Sequence, residues 1–193
     1  GGPRLVNGAS ALASALAALG LFKLGTALRL SCARAGLMAF AFAFTPVVFQ
    51  SAASSIDYVW SICCVLWSGY ALVTGHTLRA GILLGAALGM RITAGAMLLP
   101  WLVLQHQLSD PARRWGEHLR LCLATLASGA LCFAPVLYTY GLGFWNFDDT
   151  AVPWSRITLR AGSETWGSLG VWAWCGVLAI ALFAWRELLA ALR

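Results

Sequence analysis

The chain has 193 residues, 60% of them hydrophobic and only 10% charged, where an ordinary soluble domain carries roughly 25% charged residues. Thirteen Lys and Arg against seven Asp and Glu leave a net charge of +6, and the mean hydropathy is +0.77. Too little polar side chain is present to cover a soluble globule. The apolar excess excludes disorder, and cations scattered between apolar runs exclude a nucleic-acid-binding patch.

What remains is an all-α, polytopic transmembrane bundle of about five to seven membrane helices, with residues 1–193 forming one transmembrane domain. The chain opens on Gly1, shows no charged leader or cleavage site, and stays hydrophobic to its last residues. It reads as an internal fragment of a longer membrane protein.

A spanning helix needs about 20 mostly apolar residues. The first segment runs from Leu5 to about Phe22, rich in small residues that suit close packing in lipid. The second runs from about Ala35 to Phe49, with Pro46 near its end, and the third from Tyr58 to about Val73. A long stretch from Gly81 to Leu104 follows, interrupted by Arg91 and Pro100. The remaining segments are Leu119 to about Tyr138 and about Leu169 to Trp185.

Short cationic loops stay cytoplasmic. Lys23, Arg29 and Arg34 separate the first two segments, and Arg113, Arg114 and Arg120 precede the penultimate one. Ser51–Asp57 carries no cation, and the loop Gly141–Ser168 carries three acids against two arginines, so both fall outside. A single crossing by residues 81–104 conflicts with this pattern, because His76 and Arg79 inside would force Arg113 and Arg114 outside. A hairpin of two short helices turning near Arg91 and Ile92 removes the conflict. Each arm of about 12 residues rises roughly 18 Å, less than the hydrocarbon core. Such a turn is tolerated at membrane depth only when buried in protein or lining a wet cavity. Gly81, Gly85 and Gly89 would let one arm pack closely on its neighbours.

Two ionisable residues stand out. Asp57 begins an apolar helix after Ser51, Ser54 and Ser55. It is either a helix cap or a carboxylate at the outer rim of a cavity, able to bind a substrate hydroxyl or a divalent metal. Arg91 lies inside an apolar stretch, where an ionisable group faces a cavity or a partner. It either holds a phosphate bidentately or snorkels to an interface. In the outer loop, Trp145, Trp154 and Trp166 fit an interfacial belt or a sugar-stacking surface. The adjacent Asp148 and Asp149 are a weak metal signal.

The six cysteines show no C-x-x-C spacing and read as buried apolar side chains. His76, His106 and His118 show no ligand spacing on one face and read as solvated loop residues. No Walker motif, dinucleotide-binding fingerprint or nucleophile elbow is present.

The run T-P-V-V-F-Q-S-A-A-S-S-I-D-Y-V-W from Thr45, followed after one span by R-A-G-I-L-L-G-A-A-L-G-M-R-I-T-A-G-A-M-L-L-P-W, resembles the middle of the GT-C superfamily of membrane glycosyltransferases. That group includes protein O-mannosyltransferases and aminoarabinose transferases. The resemblance covers about 60 residues directly, and its motifs are degenerate. It implies an enzyme that moves a sugar from a polyprenyl-phosphate donor to an acceptor hydroxyl outside the membrane. By the same resemblance, Asp57 borders the active cavity and Arg91 faces the donor phosphate. The principal catalytic carboxylate is then expected in a first outer loop that this chain lacks. A divalent metal near Asp57 is compatible with the resemblance. The other partners expected are the lipid bilayer and a sugar acceptor of unspecified identity, in a prokaryotic inner or plasma membrane.

Two other classes fit the composition. A secondary transporter or lipid flippase also uses broken helices with a charge near the midplane, but no matching broken segment is visible elsewhere in the chain. A non-catalytic membrane scaffold would tolerate replacement of both Asp57 and Arg91.

Overall fold

The computed structural model describes residues 3–53 and 57–140, and among them every regular element is helical. The chain divides into two compact units, Gly1–Phe44 with Val48–Asn146, and Thr45–Val47 with Phe147–Arg193. Apart from Thr45–Val47, the second unit lies outside the described residues, as does the segment expected from about Leu169 to Trp185.

Helix α1 (Pro3–Ala27) starts on a proline, which loses no hydrogen bond at a first helical position. It ends in a tight turn, where Leu30 N–H donates to the Gly25 carbonyl at 3.0 Å and Arg29 takes a left-handed φ of 65°. Ser31 then caps α2 (Cys32–Ala43), its hydroxyl accepting from Arg34 N–H at 3.4 Å. The connection is therefore shorter than the sequence implies: Lys23 belongs to α1, while Cys32 and Arg34 belong to α2.

The segment expected as one helix from Ala35 to Phe49 is broken. Helix α2 stops at Ala43, and α3 (Pro46–Ala53) begins on Pro46. Pro46 has no N–H to give to α2, and its ring pushes Thr45 out of the helical region.

Helix α4 (Asp57–Val73) matches the expected third segment. Gly75, with φ of 80°, turns the chain into α5 (Thr77–Met90). At Arg91 the backbone becomes extended (φ −146°, ψ 117°), and a 3₁₀ segment (Ile92–Met97) leads into α6 (Leu98–Leu108). Pro100 falls in the first turn of α6, where its missing N–H removes no intrahelical bond. Helix α7 (Arg114–Tyr140) completes seven α-helices among the described residues.

Cross-helix pairs fix the directions. Trp67 Nε1 donates to the Leu16 carbonyl at 3.0 Å, and Gly69 lies beside Leu24, so α1 and α4 run parallel. Ser61 donates to the Ala87 carbonyl at 3.2 Å and Ser68 to that of Ala80 at 2.7 Å, so α4 and α5 are antiparallel. Gly81 meets Ala124, Gly85 meets Ser128 and Gly89 meets Cys132, so α5 and α7 are parallel. A Cβ on Gly85 would stand 2.5 Å from the Thr125 carbonyl oxygen. The glycine seam expected from the sequence is thus where two backbones touch.

Residues 81–104 do form the two arms of a hairpin. Near its tip Gly95 lies against Leu88. At its open end Gln105 Nε2 donates to Thr77 Oγ1 at 3.4 Å, 28 positions back along the chain.

The packing is unlike that of a soluble domain. Buried positions are mostly small, among them Ala13, Ala17, Ala80, Ala87, Ser10 and Ser68, while Leu99 is 71% and Leu131 76% exposed. Among the described residues two helical stretches, Asn7–Ala27 and Arg114–Thr139, are long and apolar enough to cross a membrane, and α2, α4 and α5 are apolar but shorter.

Candidate functional site

The helix directions sort the charges by end. Because α1 parallels α4 and α7 parallels α5, the α1–α2 turn, the α4–α5 turn and the α6–α7 loop share one end. Lys23, Arg29, Arg34, Arg79, Arg113, Arg114 and Arg120 all lie in or near these connections. Arg91 lies at the opposite end, because α5 carries the chain away from Thr77 before breaking there, and Arg4 in the first turn of α1 belongs to that end too.

The same antiparallel packing of α4 on α5 brings Arg91 to the start of α4. The Arg91 Cζ lies 3.2 Å from the centroid of the Tyr58 ring. A guanidinium over an aromatic face is held by the ring quadrupole, at about 0.5–2 kcal/mol depending on solvation. Below this contact, the Ser61 bond to the Ala87 carbonyl ties the two helices together. Arg91 itself is half-buried.

Asp57, the first residue of α4, therefore stands next to the residue that carries Arg91. Two positions separated by 34 residues in the chain are drawn to one end of the bundle. Trp145, Asp148 and Asp149 lie outside the described residues. Tyr58 is the member that the residue pattern did not single out; its only signal was an aromatic beside an acidic helix start.

Chemically, this arrangement offers a planar cation fixed on one face by an aromatic ring. Such a group suits a phosphate or carboxylate oxygen. Among the described residues no group of three or more His, Cys, Asp or Glu gathers. The divalent metal expected near Asp57 is not decided by these residues, because Asp148 and Asp149 lie outside the described residues, and no step below passes through one.

At the opposite end, His106 is exposed and His118 half-buried, but both stand on helices where loop residues were expected. His106 lies in the last turn of α6 and His118 in the second turn of α7, with ring centroids 5.7 Å apart at 82°. The α6–α7 packing brings them together, and no spacing in the sequence signals it.

Cys63 is buried and Cys64 half-buried, as expected, whereas Cys32 and Cys132 are exposed. No family model, no curated protein and no solved structure matches the chain.

Proposed function

We propose that this chain is part of a multi-pass inner- or plasma-membrane glycosyltransferase, which transfers a sugar from a polyprenyl-phosphate donor to an acceptor hydroxyl on the extracytoplasmic side. The observation that carries the reading is the meeting of Arg91 with the start of α4 at the end opposite the seven cations of the connecting turns. By the positive-inside rule the cationic end is cytoplasmic, which puts Arg91, Tyr58 and Asp57 toward the outside. The α5 arm has 14 residues and rises about 21 Å, so its tip stops within a hydrocarbon core of about 30 Å. A charge at that depth calls for a cavity or a partner.

In the proposed reaction, a carboxylate takes the proton of the acceptor hydroxyl. The acceptor oxygen forms its bond to the anomeric carbon while the bond from that carbon to the phosphate oxygen breaks. The electron pair leaves on the polyprenyl phosphate. Arg91 stabilises the charge that builds on this leaving group, the kind of electrostatic work that contributes most in many enzymes. Tyr58 holds the guanidinium plane in place, and Asp57 orients the acceptor or the sugar at the cavity rim. The support is the position of these residues, together with the resemblance of residues 45–104 to the GT-C middle region.

The test uses the full-length parent protein in proteoliposomes with radiolabelled polyprenyl-phosphate sugars. Wild type is expected to transfer label, and Asp57→Asn and Arg91→Ala each to lose at least tenfold, about 1.4 kcal/mol of barrier, while remaining inserted and folded. Transfer unaffected by either change overturns the roles. Donor uptake or flipping without transfer moves the assignment to a transporter.

A further inference from the structure

A second site lies at the cationic end, on residues with no part in the proposed transfer. Between the end of α6 and the start of α7 is a pocket of about 300 Å³ lined by His106, Pro111, Arg114, Trp115 and His118. His118 Nδ1 is 2.6 Å from the Arg114 carbonyl oxygen. A carbonyl can only accept, so Nδ1 carries a hydrogen, and Nε2 faces a ligand and donates to an anion when it too is protonated. Arg114 Nε is buried and has no hydrogen-bond partner, a costly state for a donor unless an acceptor enters.

The nearby acids do not supply that acceptor. Glu117 is engaged by Arg120 at 3.1 Å, and an Asp110 carboxylate oxygen accepts from Ala112 N–H at 3.2 Å. Among the described residues the pocket therefore lacks an anion. Its other wall is apolar: His106 and His118 also line an adjoining cavity of about 320 Å³ that runs along Leu102 and Val103, one turn deeper on α6. Trp115, 87% exposed, stands at the rim where an interfacial aromatic belongs.

We infer that this pocket binds an anionic phospholipid on the cytoplasmic face, its phosphate taken by Arg114 and by Nε2–H of His118 as the imidazolium, and its acyl chain laid along Leu102 and Val103. A cation and an imidazole above an apolar channel match an amphiphile better than a free anion, because only an amphiphile fills both cavities. Basic pockets between helices on the cytoplasmic side hold lipid headgroups by this physics. The inference rests on the membrane reading but not on sugar transfer, so either can fail alone.

The experiment uses the full chain in phosphatidylcholine nanodiscs titrated with phosphatidylglycerol, with retained lipid counted by native mass spectrometry and melting temperature followed in parallel. Wild type is expected to prefer phosphatidylglycerol at least tenfold, about 1.4 kcal/mol, and to melt higher when it is added. Arg114→Gln and His118→Gln should each lose most of that preference, while Arg113→Gln, a neighbouring cation outside the pocket, should keep it. Equal loss in Arg113→Gln would reduce the effect to general charge and overturn the site. Displacement of the lipid by millimolar inorganic phosphate or glycerol phosphate would overturn the lipid assignment in favour of a soluble phosphate. Undiminished preference in both pocket variants overturns the inference outright. Should Arg114→Gln fail to fold, the His118→Gln result decides alone.

Discussion

The guanidinium of Arg91 sits over the ring of Tyr58, 3.2 Å from its centroid, although 33 positions separate the two residues. The contact exists because α5 runs antiparallel to α4 and stops level with its first turn. It gives the cation a fixed plane, which is what a bidentate phosphate contact requires.

Removing the ring tests this relationship apart from catalysis. Tyr58→Leu keeps apolar bulk and deletes the quadrupole. We expect a loss of about 0.5–1 kcal/mol in unfolding free energy, measured in detergent by denaturant titration. Arg91→Ala should lose a similar amount, and the double variant should lose less than the sum of the two. Strict additivity would show that the contact contributes nothing.

The glycine seam makes a sharper prediction. At Gly85, a Cβ would stand 2.5 Å from the Thr125 carbonyl oxygen and 2.6 Å from Ser128 Cβ, and backbone cannot swing aside as a side-chain tip can. Gly85→Val should therefore separate α5 from α7 and destabilise by about 2 kcal/mol or more. At Gly36, in α2, nothing lies within 4 Å of the added carbon. Gly36→Ala should be neutral or stabilise by about 0.5–1 kcal/mol, the usual helix preference. Thermal unfolding in one detergent compares them directly.

The hairpin predicts sidedness. In a cysteine-free background of the reconstituted protein, Arg79→Cys and Arg113→Cys should react with a membrane-impermeant maleimide from the same side. Ile92→Cys, at the exposed tip of the hairpin, should not react from that side. A single crossing by residues 81–104 would label Arg79→Cys and Arg113→Cys from opposite faces.

Much of the helical layout was legible in the residues because apolar run length and charge are local properties. Segments beginning near Tyr58 and Leu119 emerge as α4 and α7, and the break at Arg91 followed from the bias of Arg79, Arg113 and Arg114 toward one side. The division before Pro46 was missed although its cause is local. Run length outweighed the proline, and an apolar stretch continues across a break without any change in composition.

The sequence by itself determined the helical character of the described residues, a chain reversal near Arg91, and a glycine face on α5, because each depends on residue type and spacing within one segment. Only the tertiary structure decided what those pieces meet. It set α4 antiparallel to α5, and so placed Arg91 on Tyr58. It set α6 against α7, and so joined His106 and His118 beside a buried, unpaired Arg114 Nε. Such pairings depend on helix direction and axial register. In this chain both are fixed by close contacts between small residues and by hydroxyl bonds to backbone carbonyls on other helices, and a Gly or Ser in the sequence does not say which partner it will meet.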